Sequence, residues 1–176
     1  MTDKERLKRG NEQYVASGEY AGDVSEAARE EAKGGQEPYA VIVTCSDSRV
    51  IPEAIFSAGI GDLFVIRVAG NVIDKHQLGS IEYAAEHLGA KTVVVLGHTG
   101  CGAVNAALFH DPEGYVRYIT QEIKRAVGKE RDPLKACVLN VERSVNKIKK
   151  SLTAEDLVVE GAVYDIVTGR VEFLKG

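Results

Sequence analysis

Cys45-Ser46-Asp47-Ser48-Arg49 and His98-Thr99-Gly100-Cys101 place in two short segments the residue types from which a metal centre is built. Each follows a run rich in β-branched residues, Ala40-Val41-Ile42-Val43-Thr44 and Thr92-Val93-Val94-Val95-Leu96, which reads as a buried strand. Side chains at the carboxyl ends of neighbouring parallel strands converge on one crevice, so the fold can bring the two segments together. Two thiolates and one imidazole form the protein half of a catalytic zinc site, with the fourth tetrahedral position left to water or substrate. Asp47, two residues beyond Cys45, is close enough in sequence to bind the metal or to orient what does. Free Cys is also among the most buried residue types. Taken singly, Cys45 and Cys101 read as small core residues; with His98 three positions before Cys101 and Asp47 beside Cys45, the metal reading prevails. Cys137 has no His or Asp neighbour in sequence and is assigned to structure.

The elements that must position these segments alternate along the chain. Residues 3–16 have helical character on a mostly polar surface, which suggests docking elsewhere, on a second subunit. A short helix at 24–33 stops at Gly34-Gly35. Strand one ends at Cys45, Pro52 starts a helical turn, and Gly59-Ile60-Gly61 ends that segment. A strand at 63–68, a helix at 77–88 closed by Gly89 and a strand at 92–97 follow, and the segment after Cys101 is helical to Phe109. Leu134, Val138, Val141, Val145, Ile148 and Leu152 mark a long helix begun by Asp132-Pro133. A fourth strand at 157–163, a turn at Asp165–Gly169 and a short edge strand at 171–174 complete the pattern. No element is assigned between 110 and 131. The expected fold is α/β, with a mostly parallel sheet of four strands plus an edge strand, flanked by helices. Residues 1–34 form a helical arm of the same unit, and 35–176 a single zinc-binding domain.

The order C-x-D-x-R then H-x-x-C, each behind a hydrophobic strand, resembles the β-class carbonic anhydrases. So do Gly35-Gln36-Glu37-Pro38, the stretch from Gly61 to Asn71, the helix Ser80–Gly89 and the terminal Gly161-Ala162-Val163-Tyr164-Asp165 with Thr168-Gly169. The resemblance implies zinc-dependent reversible hydration of carbon dioxide to bicarbonate and a proton by zinc-bound hydroxide. One Zn2+ per chain would be held by Cys45, His98 and Cys101, with Asp47 and Arg49 catalytic. Arg offers a planar fork that holds a carboxylate at two points. Gripped by Arg49, Asp47 stays off the metal; released, it becomes the fourth ligand of a closed form. Ile42 stands where some relatives with an allosteric bicarbonate site carry Trp, which favours the open form. Gln36, Phe64 and Tyr83 align with the family's substrate pocket, Phe64 as apolar wall and Gln36 as neutral donor. Relatives build that pocket across a two-fold interface, so a homodimer or homotetramer is expected, with Gln36 facing the neighbour's Phe64 and Tyr83.

Other readings are weaker. Hydrolysis of carbonyl sulfide or carbon disulfide would use the same scaffold, a closed site would suit a non-catalytic zinc module, and the absence of C-x-x-C weakens a dithiol redox role. Gly97-His98-Thr99-Gly100-Cys101-Gly102 has the wrong order for a phosphate loop. His76, His87 and His110 read as surface or capping residues, each a candidate to pass a proton to bulk solvent. A net charge of −4 with dispersed basic residues carries no nucleic-acid footprint. Hydrophobic content of 44% and charged content of 27% are ordinary for a globular chain. No apolar stretch approaches the roughly 20 residues of a membrane span. The charged amino terminus lacks a signal-peptide core, and three Cys make no disulfide framework. A cytoplasmic setting is the expectation.

Overall fold

The computed structural model describes residues 1–152 and 156–175. The chain forms α1 (Asp3–Ser17), α2 (Glu26–Ala32), β1 (Ala40–Thr44), α3 (Pro52–Ile55), β2 (Leu63–Arg67), α4 (Lys75–His87), β3 (Thr92–His98), α5 (Gly102–Phe109), α6 (Val116–Val127), α7 (Pro133–Ser151), β4 (Val158–Tyr164) and β5 (Val171–Phe173). The strands lie in the order β2-β1-β3-β4-β5, with β5 antiparallel to β4 and the other pairings parallel. The expected α/β architecture is therefore present. After β1 the chain steps outward to β2 and then returns to the other side of β1 for β3. Such a reversal opens a crevice at the carboxyl ends of the two strands on either side of it. Those ends lead into Cys45 and carry His98.

Both faces of the sheet are covered, so β1 and β3 are buried along their whole length. Val41, Val43, Val93 and Val95 point to one face, with Ile81 of α4 and Val141, Val145 and Ile148 of α7. Ala40, Ile42, Val94 and Leu96 point to the other, with Leu7, Ile55 and Phe56. The approach of α7 to β3 is close: a Cβ on Gly97 would lie 2.6 Å from Val141 Cγ2 and 2.9 Å from Cys137 Sγ. A third apolar cluster, including Val104, Leu108, Ile123, Val127 and Ala136, closes around Cys45 and Cys101.

Two features depart from the sequence reading. First, α6 occupies the stretch to which no element was assigned. Its buried Thr120, Ile123 and Val127 have helical spacing, but exposed Tyr115, Val116 and Tyr118 blur the pattern. Second, α1 docks on its own chain. A polar helix lacks an apolar stripe, yet this one inserts Leu7 fully into the core and presses Gly10 onto the backbone at Phe56. A Cβ on Gly10 would lie 1.9 Å from Phe56 O. Polar groups make the rest of the contact. Asn11 Nδ2 donates to the carbonyls of Ile55 (3.1 Å) and Gly169 (2.9 Å), and its Oδ1 accepts from Val171 N (2.9 Å). Lys4 pairs with Glu160 and Arg6 with Asp62, and the Arg6 guanidinium lies 3.7 Å from the centre of the Tyr39 ring. The expectation that α1 needs a second subunit to dock on is thus corrected.

Asn11→Ala strands the buried Ile55 carbonyl and leaves the part-buried Gly169 carbonyl and Val171 amide without their partner, and a fully buried group so stranded costs about 1–3 kcal/mol. Urea unfolding should show a loss of about 2–4 kcal/mol, against less than about 0.5 kcal/mol for the exposed Glu12→Ala.

Candidate metal centre

β1 delivers Cys45, and β3 delivers His98 with Cys101 just beyond it at the start of α5. Their Sγ, ring-nitrogen and Sγ atoms all lie within 4.8 Å of one another, and all three residues are buried. The two sulfur atoms are 4.0 Å apart. Thiolates bound to one tetrahedral zinc at about 2.3 Å would be separated by about 3.8 Å. His98 Nδ1–H donates to the Thr99 carbonyl at 2.9 Å, which leaves Nε2 with the free lone pair. That Nε2 is buried and has no hydrogen-bond partner. A buried imidazole nitrogen without a partner, facing two thiols, fits a metal ligand.

The thiols are not equivalent. Contacts with the Cys101 thiol, the adjoining His98 ring and the Gly70 amide (3.2 Å) together outweigh desolvation and lower the Cys45 pKa to about 4. Cys101 is pushed up, chiefly by the same contact with Cys45 and by burial. At His98, burial opposes the charged form, but the adjoining Cys45 thiolate outweighs it and raises the pKa. Cys137 behaves as the sequence reading expected. Burial lifts it to about 11, and the neutral thiol donates to the His98 carbonyl at 3.3 Å.

Asp47 stands beside the cluster with Oδ2 3.8 Å from His98 Nε2. Both its oxygens are engaged by Arg49: Nε reaches Oδ1 at 2.9 Å and Nη2 reaches Oδ2 at 2.7 Å. This guanidinium holds the Asp47 carboxyl well below the ordinary carboxylate range. Arg49 Nη2 also donates to the Gly100 carbonyl at 3.1 Å, tying the two sequence segments together. Arg67, at the end of β2, had no role assigned from sequence. It donates to the carbonyls of Cys45 (3.3 Å) and Asp47 (2.7 Å). A lone Arg closing the apolar run Leu63–Ile66 was the signal for it.

The pocket residues expected from the resemblance do not join this cluster within one chain. Gln36 borders a separate cavity of about 670 Å³, among Glu31, Gly34, Glu37 and Gly59. Phe64 pairs with Val41 near the opposite end of β1 from Cys45. Its ring is 6.3 Å from that of Tyr83, which is exposed on α4.

Residues 40–171 match the family model described as carbonic anhydrase. Carbonic anhydrase 2 of Mycobacterium tuberculosis is 41% identical, with 93% of this chain and 87% of that protein covered. The carbonic anhydrase of Mycolicibacterium smegmatis is 37% identical over 94% of this chain and 89% of its own length. The β-carbonic anhydrase CafA of Aspergillus fumigatus superposes with a TM-score of 0.77 at 26% identity, over 98% of this chain and 87% of its own. A tetrameric β-carbonic anhydrase of Sordaria macrospora gives 0.73 at 28% identity, over 84% and 85%.

A group with a lowered pKa is ionised at every pH above that value, so Cys45 should already be a thiolate at neutrality. Ultraviolet absorbance of the metal-stripped, reduced protein at pH 7 should show about one thiolate per chain, lost as pH falls through about 4 and absent in Cys45→Ser.

Proposed function

The chain belongs to the β-class carbonic anhydrase family, and on that premise we propose that it catalyses the reversible hydration of carbon dioxide to bicarbonate with one Zn2+ held by Cys45, His98 and Cys101. The observation that carries this reading is the buried trio of donors at the switch point of the sheet, with an unpartnered imidazole nitrogen facing two sulfur atoms. Zinc bound there would supply a Lewis acid that makes water nucleophilic near neutral pH.

The chain's own residues do the rest. Arg49 keeps Asp47 ionised and turned toward itself, so that Asp47 acts as a hydrogen-bond acceptor beside the centre and not as a fourth ligand. Such an acceptor orients the attacking water and receives its proton-bearing contact. Arg67 fixes the backbone carrying Cys45 and Asp47, so the two cannot drift apart. Valine and leucine side chains around the ligands exclude bulk water from their back. Asp47 in the grip of Arg49 weighs against a closed, non-catalytic zinc module.

Gln36, Phe64 and Tyr83 would form the substrate wall only with a neighbour, because one chain leaves them apart from the metal ligands. In support, β2 is an edge strand with Leu63, Phe64 and Val65 only half-buried, and uncovered edges are rare in stable sheets. The assembly proposed is a dimer or a multiple of dimers, with Gln36 of one chain facing Phe64 and Tyr83 of the other. The setting proposed is cytoplasmic; among the described residues no helix is long and apolar enough to cross a membrane.

Metal analysis of purified protein should give about one zinc per chain, and Cys45→Ser or His98→Ala should lose most of it; full retention in either variant would overturn the ligand assignment. Arg49→Ala should keep its zinc and lose about tenfold or more in turnover, as read by stopped-flow hydration of carbon dioxide. Light scattering should return a mass of at least twice 19.0 kDa. A fully active monomer would remove the shared pocket.

A further inference from the structure

Asn140, Ser144 and Lys147 lie at i, i+4 and i+7 on α7, a spacing that puts them on one stripe of the helix. Each holds a backbone carbonyl of the segment that follows β2. Asn140 Nδ2 donates to Gly70 O at 2.8 Å, Ser144 Oγ to Asn71 O at 3.1 Å and Lys147 Nζ to Ile73 O at 2.6 Å. Asn140 and Ser144 are buried, although the sheet-facing side of the same helix is apolar. The segment they hold is unusual: Gly70 and Asn71 are both left-handed, with φ of 69° and 45°. Consecutive residues in that region, one of them not glycine, persist only where their surroundings hold them there. Ile123 and Ala103 block the other side of Gly70, where a Cβ would lie 2.8 Å and 3.0 Å from them. What the conformation achieves is to aim the Gly70 amide at Cys45 Sγ, 3.2 Å away.

We propose that Asn140 and Ser144 are positioning residues of the metal centre: by anchoring the Gly70 and Asn71 carbonyls they keep the Gly70 N–H on the Cys45 sulfur and so set how much charge that thiolate gives the metal. This rests on the reading that Cys45, His98 and Cys101 bind zinc. A donor held on a metal-bound thiolate draws charge from the sulfur and fixes its direction. Two thiolates donate more charge than imidazoles would and weaken the Lewis acid; an amide on one of them offsets part of that loss. Cys137, one turn before Asn140, applies the same helix to the His98 carbonyl. One face of α7 therefore gauges both arms of the site.

The test uses full-length protein loaded with Co2+, whose thiolate-to-metal absorption band reports sulfur donation directly. Ser144→Ala removes one hydroxyl, Asn140→Leu removes the amide at similar volume, and Ile148→Val trims the same helix away from the segment. The band should move to lower energy in Ser144→Ala and Asn140→Leu, with zinc affinity, measured by chelator competition, falling about tenfold. Ile148→Val should match the wild type in both. An unmoved band in the folded variants, or an equal shift in Ile148→Val, overturns the proposal. If Asn140→Leu does not fold, Ser144→Ala decides alone. A wild-type protein without a thiolate band removes the zinc reading and this inference with it, whereas a wild-type band that the variants share removes this inference only.

Discussion

Two thiols and an imidazole are withdrawn from water within a few ångströms of one another, and the surrounding structure answers to the cost of that step. Burying a polar group without a partner costs about 1–3 kcal/mol by mutational measure, and three together would strain the stability of a small domain. The neighbouring residues supply the compensation. The Thr99 carbonyl accepts from the imidazole N–H, the Gly70 amide donates to one sulfur, and the Cys137 thiol donates to the His98 carbonyl. One atom is left without a partner, His98 Nε2, and it faces the place where a cation would make up the difference. The positive charge of Arg49 is kept at the rim, on Asp47, and does not enter the sulfur cluster.

Much of this was legible in the sequence because it is written locally. The runs 40–44 and 92–96 are continuous β-branched segments, and the residues immediately beyond them carry Cys45 and His98, so strand, end and chemistry fall in one short window. The Asp47–Arg49 pair is two residues apart and is observed as a two-point contact. What the sequence did not reveal is held together by long-range geometry. Arg67 and Asn140 reach the site through backbone carbonyls, which any residue possesses, so nothing in the target segment marks it. α6 escapes a reading by periodicity because the exposed Val116 and Tyr118 share its first turn with its apolar stripe. The docking of α1 was misjudged for a different reason. Its buried residues are one leucine, one glycine and one asparagine, too few apolar positions to register as periodicity.

The two edges of the sheet are treated differently. At β5 the antiparallel return is short, and α1 lies nearby, with Lys4 and Lys8 over the Phe173 ring. At β2 the side chains stay half-exposed, and the pairing stops at β1. The open β2 edge is on the side of the sheet bearing Phe64, whose ring neighbours that of Tyr83.

The Asn11 bridge ties α1 to the turn before β5 across sequence separations of 158 and 160 residues. Contacts of such separation form late, because the loop they close must first be ordered by other interactions. During synthesis α1 emerges well before the hairpin that completes its seat, so Leu7 has β1, α3 and β3 to pack on before Asn11 has all its partners. The arm thus behaves as a latch that reports completion. Its bond to the Ile55 carbonyl needs only the earlier part of the chain, whereas Asn11 finds its two remaining partners, Gly169 O and Val171 N, only once the β4–β5 hairpin is in place.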